Sequence, residues 1–174
     1  MRAVTDMTTT KGDRRPQDRV DPVCPDDCPR IVEVWEASVR ATHEFLSEAG
    51  IQFFKPLVLD ELSRVAELFC VRDDTGRVAG FVGVVEGKVE MLFIHPTWRG
   101  QGIGRRSLEH AVETLGATRV DVNEQNASAV GFYLHMGFEV EKRSDSDSTG
   151  RPFPLLHMRL GGSAGKPPSG DRAG

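Results

Sequence analysis

The residues with the most chemical content lie in one run, Val89-Glu90-Met91-Leu92-Phe93-Ile94-His95-Pro96-Thr97-Trp98-Arg99-Gly100-Gln101-Gly102-Ile103-Gly104-Arg105-Arg106. An apolar stretch that reads as a strand passes into a turn with glycine at 100, 102 and 104, and the turn opens a helix. Glycine removes the side chains that would hold a ligand off the backbone. The first turn of a helix carries N–H groups without intrahelical partners and a partial positive charge. Together these make a site suited to a diphosphate. Arg99, Arg105 and Arg106 add cationic charge locally. The chain as a whole is acidic, with 22 Lys and Arg against 26 Asp and Glu and a net charge of −4.

Three phosphate-binding turns compete for this run. The nucleoside-triphosphate loop needs Gly, four residues and Gly-Lys-Ser/Thr, which the turn lacks. The dinucleotide pattern G-x-G-x-x-G fails at Arg105 and would need parallel βαβ units. The pattern Arg/Gln-x-x-Gly-x-Gly/Ala is complete in Arg99-Gly100-Gln101-Gly102-Ile103-Gly104, directly after a strand that ends in His-Pro.

The elements that must position this turn are read from periodicity. Ile31, Val34, Trp35, Ser38, Thr42, Phe45, Leu46 and Ala49 recur at helical spacing, with Asp27 before Pro29 as a start and Gly50 as the end. A shorter helical pattern covers 56–66. Three strand-like runs follow at 67–72, 77–85 and 89–94, separated at hairpin lengths, so they form an antiparallel meander. A helix over 102–115, a strand over 119–123, and a helix over 127–136 capped by Asn126 and ended by Gly137 come next. Strands at 138–142 and 155–160 close the unit. The fold class is α/β in the α+β sense: one mixed, mostly antiparallel sheet with helices on both faces.

The turn with its preceding strand resembles the acyl-CoA-binding motif of the GCN5-related N-acetyltransferases (GNAT). Asn123-Glu124-Gln125-Asn126-Ala127-Ser128-Ala129-Val130-Gly131-Phe132-Tyr133, followed by Met136-Gly137-Phe138, is similar to that family's second signature. The segments around Trp35–Leu46, Asn123–Asn126 and Gly150–Leu156 resemble the bacterial YjaB-like branch. The resemblance spans about 30–160. It implies a sheet splayed between its central strands, 89–94 and 119–123, with the pantetheine arm of acetyl-CoA in the gap against backbone groups of Leu92, Phe93 and Ile94. It also implies a pyrophosphate on the backbone of Gly100, Gln101, Gly102, Ile103, Gly104 and Arg105 behind Arg99. Asn126 matches the position that holds the pantetheine, and Phe132 a position that packs near it.

The resemblance makes Tyr133, the single tyrosine, the general acid for the departing thiolate; an aromatic residue filling the core is the competing reading. A thiol near pKa ~8.5 and a phenol near ~10 are roughly matched for that transfer. Glu90, a carboxylate in an apolar strand, is the candidate base for the acceptor amine, directly or through water, against a strand-edge charge in solvent. Asp121, His43 and water itself are rivals for that role. Cys70 in an apolar strand reads as a structural thiol, and the loop Ser144-Asp145-Ser146-Asp147-Ser148-Thr149 as a solvated tip or a guide for a cationic acceptor.

The expected activity is transfer of an acetyl group from acetyl-CoA to a primary amine, a protein lysine or a small molecule, in a ternary complex. A non-catalytic acyl-CoA sensor or interaction module and a nucleotide-binding oxidoreductase are the alternatives. Hydrophobic residues at 39% and charged residues at 28% suit one packed domain, over 28–160. Residues 1–27 read as a mobile extension and 161–174 as a disordered tail. The acidic balance disfavours nucleic acid as a partner. No apolar run approaches the ~18 residues of a membrane helix, and the N-terminal residues lack a signal-like apolar stretch, so a cytoplasmic protein is expected, as monomer or homodimer. Cys24 and Cys28 form a C-x3-C pair without further ligands, so no metal is expected.

Overall fold

The computed structural model describes residues 18–162. In chain order these form β1 (Asp21–Pro22), α1 (Cys28–Thr42), α2 (Glu48–Arg64), β2 (Glu67–Arg72), β3 (Val78–Val85), β4 (Lys88–Ile94), α3 (Ile103–Glu113), β5 (Arg119–Asn123), α4 (Ala127–His135), β6 (Phe138–Ser144) and β7 (Leu155–Leu160). One seven-stranded sheet has the order β1-β2-β3-β4-β5-β7-β6. Every neighbouring pair is antiparallel except β4 and β5. The mixed sheet and the meander over β2, β3 and β4 agree with the sequence reading. So do the bounds of β2, β5 and β7.

Each face of the sheet carries its own core. Ile31, Val34, Trp35 and Val39 of α1 and Ile51 and Leu62 of α2 pack with Phe81, Met91 and Cys70 on one face. Leu108 and Ala111 of α3 and Tyr133 of α4 pack with Val82, Val89, Val120, Val122 and Phe138 on the other. Two-sided burial explains why β3 reads as an unbroken apolar run. Cys70 is fully buried, and burial pushes its thiol up to about 11, so it behaves as a small core residue.

Two features of β4 set up the site. Its parallel pairing with β5 is confined to Lys88–Arg119 and Val89–Val120, so the strands part beyond that point. The register with β3 steps from Gly83 opposite Met91 to Val84 opposite Val89, which leaves Glu90 as the extra residue of a bulge. The bulge reverses the side-chain phase. Val89 therefore joins the α3/α4 core while Met91 joins the α1/α2 core.

The first helical segment departs from the expected one. The apolar stripe suggested one helix from about 31 to Gly50. Instead α1 ends at Thr42, His43 leaves helical geometry with φ −111° and ψ 60°, and Ser47 starts α2 by accepting the Gly50 N–H on its hydroxyl. Gly50 is thus a buried residue of the first turn of α2. The second helix was expected over about 56–66, but α2 begins eight residues earlier, at Glu48, and Pro56 lies inside it. Packing of Ile51 and Leu62 on the first core carries the helix through it. A network of Lys55, Glu36, Arg40 and Glu48 links α1 to α2.

The expected mobile extension lies partly outside the described residues, which begin at 18. Within them the chain is docked. Asp21 pairs with Cys70, the Val23 N–H donates to the Leu68 carbonyl, and Arg72 donates to both carboxylate oxygens of Asp27 at 2.8 and 2.7 Å. That hydrogen-bonded pair holds the Asp27 carboxyl below its usual range. The expected tail lies outside the described residues beyond Gly162.

Gly80 of β3 lets the start of α3 approach the sheet. A Cβ there would stand 2.5 Å from Ile94 Cδ1, 3.1 Å from Ile103 Cγ2 and 3.1 Å from the Phe93 carbonyl oxygen. Gly80→Val should therefore lower stability by about 1–3 kcal/mol in urea unfolding, the usual cost of overpacking. An unchanged midpoint would contradict this packing.

Candidate active site

β4 ends at Ile94 and the chain turns through a short 3-10 segment, Pro96–Trp98, into α3. Gly100 and Gly102 take φ +74° and +78°, the left-handed region in which a side chain is strained. Gly102 is the N-cap of α3, and no side chain caps that helix. By contrast Ser47 caps α2 and Asn126 caps α4, its Oδ1 accepting the Ala129 N–H at 3.1 Å. The first hydrogen bond of α3 runs from Arg106 N–H to the Gly102 carbonyl. The donors ahead of it are left to an external acceptor. Gln101 braces the turn through its own side chain on Thr97, and Arg106 donates to the Gln101 carbonyl. Arg105 pairs with Glu109 at 2.7 Å on the exposed side of α3.

The turn opens into a cavity of about 450 Å³ between the end of β4 and α4. Leu92, Phe93 and Ile94 form one side, Arg99, Gly100, Gly102, Ile103, Gly104 and Arg105 the mouth, and Asn126, Phe132 and Tyr133 the α4 side. The structure thus brings the candidate cofactor residues to one wall, Gln101 excepted. Ser38, Thr42 and His43 add a side from α1 and its C-terminus, and Ser128, His135 and Met136 extend the α4 side. Sequence reasoning had placed Ser38 and Thr42 in the core stripe of a helix; their polarity within that stripe was the available signal. A neighbouring space of about 490 Å³ shares Thr42, Arg99, Asn126 and Ser128 and adds Glu44 and Phe45. Phe153, from the β6–β7 connection, stacks on Phe45 and Phe54 at 5.7 and 6.4 Å, and Arg151 covers Phe53 at 3.7 Å. These contacts tie that connection to α2.

Tyr133 is 7% exposed, with Phe132 and Phe138 edge-on to its ring. Burial raises its phenol well above the ordinary value. Arg99 donates to the Ser38 hydroxyl at 3.0 Å and the Ser38 carbonyl at 3.2 Å. It ties the anion turn to the C-terminal end of α1. His43 is partly buried beside it, and burial together with the Arg99 charge pushes its imidazole down to about 4.

Glu90 and Asp121 stand outside the cavity wall. Lys88 joins them, with its ammonium 3.0 Å from Glu90 and 2.8 Å from Asp121. Asp121 also meets His157 at 2.7 Å, and His157 meets Ser144. The acidic loop is largely engaged in its own folding: Asp147 accepts from Thr149 and Arg151, and Asp145 pairs with Arg143. Cys24, Cys28 and Cys70 are free, and no group of three metal-ligating side chains occurs among the described residues.

The three glycines of the turn differ in what they tolerate. A Cβ on Gly102 adds a 3.1 Å contact with the Arg106 guanidinium to a strained φ, whereas one on Gly104 meets Ile94 and Phe132 at an ordinary 3.7–3.8 Å. Gly102→Val should abolish coenzyme A binding in titration calorimetry while the protein stays folded. Gly104→Ala should keep binding and gain up to about 1 kcal/mol of stability from helix propensity. Normal coenzyme A binding by Gly102→Val would refute the anion site.

Residues 65–140 match the family described as Acetyltransferase (GNAT) domain. The peptidyl-lysine N-acetyltransferase YjaB of Salmonella typhimurium is 42% identical over 129 residues, covering 74% of this chain and 88% of that protein. The solution structure of apo YjaB from Escherichia coli superposes with a TM-score of 0.74 at 35% identity, covering 83% of this chain and 98% of that one. The PaiA N-acetyltransferase of Thermoplasma acidophilum, solved with coenzyme A, shares the fold with a TM-score of 0.63 at 21% identity, over 82% of this chain and 98% of that one. With its bare helix cap, parted central strands and this degree of identity, the chain belongs to the GNAT acetyltransferase family and is an N-acetyltransferase.

Proposed function

We propose that this chain transfers an acetyl group from acetyl-CoA to a protein lysine side chain, directly and within a ternary complex. One observation carries the reading: the uncapped turn before α3 and the residues of β4 beyond its pairing with β5 line one cavity together with Tyr133. The curated relatives YjaB and YiaC are named peptidyl-lysine N-acetyltransferases, which supports lysine as acceptor.

In this reading the diphosphate of acetyl-CoA takes the free N–H groups from Gly102 to Arg105, beside the charge of Arg99 and Arg105. The pantetheine runs along Leu92, Phe93 and Ile94 as an added strand would, with Asn126 and Phe132 against its other side. A backbone N–H of β4 polarises the thioester carbonyl. The amine nitrogen attacks that carbon, and its proton passes through water to Glu90, which stands beyond the cavity wall against Lys88. The C–S bond then breaks. Tyr133, kept as the neutral phenol by burial, gives its proton to the departing sulfur and regains one from solvent. None of the three cysteines lines the cavity, and Cys70 is buried with a raised pKa, so direct transfer is preferred to an acyl-enzyme.

A thiol-release screen with acetyl-CoA against lysine peptides and small amines tests the reading, which predicts turnover of lysine peptides. Coenzyme A binding without thiol release from any amine would favour a non-catalytic sensor. Tyr133→Phe should lower kcat by about 10²–10⁴-fold with acetyl-CoA affinity within about two-fold of wild type. Equal loss of both would reject the acid role. Because burial raises the Tyr133 pKa, the phenol stays protonated through neutral and mildly alkaline pH. The wild-type kcat profile should therefore show no loss from Tyr133 ionisation up to about pH 10.

A further inference from the structure

We infer that His43 receives the acceptor amine: its Nε2 lone pair accepts an N–H of the attacking nitrogen inside the cavity. This rests on the acetyltransfer reading above and names a specificity-determining residue for it.

The geometry fixes which ring nitrogen carries the proton. Thr42 Oγ1 has one hydrogen and two close partners, the Ser38 carbonyl oxygen at 2.8 Å and His43 Nδ1 at 2.9 Å. A carbonyl can only accept, so the hydroxyl hydrogen goes to Ser38. The second contact then requires the imidazole to donate, and Nδ1 bears the proton. In the neutral ring Nε2 is left as an acceptor. The ring also meets the Val39 backbone carbonyl, which can only accept and so takes the N–H of the ring, and the side-chain contact of the ring, to Thr42, is made by Nδ1. Burial and the neighbouring Arg99 charge keep the ring neutral.

The cavity's other uncommitted acceptors, the Ser128 hydroxyl and the His135 imidazole, are exposed on α4, so His43 is the imidazole withdrawn from water. No carboxylate lines the cavity; its permanently charged side chains are Arg99 and Arg105. The Ser38 and Thr42 hydroxyls are engaged by Arg99 and by Ser38 itself, and Asn126 Oδ1 caps α4. Tyr133 is needed as a donor. A nitrogen that attacks with its lone pair points its N–H bonds away from the carbonyl carbon, and a desolvated N–H without an acceptor is costly. Cationic surroundings also disfavour an ammonium there, so the acceptor enters as the free amine, which is the form that reacts.

Two conservative variants separate the two ring nitrogens. His43→Asn places an amide N–H near the Nδ1 position and keeps the Thr42 contact without the acceptor. His43→Gln places a carbonyl oxygen near Nε2 and keeps the acceptor without the Thr42 contact. With a lysine peptide, His43→Asn should raise the peptide KM about ten-fold with the acetyl-CoA KM within about two-fold, and His43→Gln should stay within about three-fold of wild type on both. Variants that behave alike, or either one raising the acetyl-CoA KM, would overturn the inference. Imidazole nitrogen NMR of the wild-type protein at neutral pH gives a readout free of turnover. An Nδ1–H tautomer is expected, and an Nε2–H tautomer or an imidazolium would overturn the inference. Wild-type protein that acetylates no amine would sink the acetyltransfer reading, and the NMR tautomer would still decide the state of His43.

Discussion

Neighbouring strands either pair or leave their facing N–H and C=O groups to another partner, because a backbone polar group withdrawn from water must be satisfied. β4 and β5 pair at two positions and then separate. The separation is enforced from outside: β4 stays with β3 as far as Ile94, and β5 stays with β7 as far as Asn123. Neither strand can swing across the gap without breaking a longer ladder. The crossover that joins them, α3, begins where β4 ends, so its uncapped N-terminus lies at the mouth of the gap. Anion turn and strand gap are thus consequences of one connection.

Charge follows the same division. The cavity wall carries Arg99, Arg105 and neutral donors and acceptors, while the carboxylates Glu90 and Asp121 are held outside it by Lys88. In the proposed mode of binding the anionic end of the cofactor meets positive potential, and the thioester end meets a partly desolvated pocket to which α4 contributes Tyr133 and His135 and the end of α1 contributes His43. Arg99 serves both ends, since it belongs to the phosphate motif by position and to α1 by its bonds to Ser38. Arg99 thus joins the glycine turn directly to α1.

Much of this was legible in the residues. Unbroken apolar runs punctuated by Asp73-Asp74-Thr75-Gly76 and Glu86-Gly87 defined the meander, and the strands at 119–123 and 155–160 fell where alternation placed them. Glycines at 100 and 102 marked the turn because only a positive φ demands them there. What the residues hid was long-range. The break between α1 and α2 comes where His43 leaves helical geometry and Ser47 caps the next helix, inside a helical-period stripe interrupted only by the polar Ser38 and Thr42. Pro56 within α2 follows tertiary packing over local preference. The splay came from the family resemblance alone, since no local pattern tells a strand how many partners it keeps. Glu90 read as a carboxylate set in an apolar strand, and the sequence showed neither the bulge at that position nor the Lys88 that it meets.

Amide hydrogen exchange, followed residue by residue with and without acetyl-CoA, tests the parted strands most directly. Fast exchange at the gap-facing amides within 92–94 and at 102–105, slowed strongly by the cofactor, with 88–89 protected throughout, is the predicted outcome. Protection of both strands along their full length before cofactor is added, unchanged by its addition, would contradict the account.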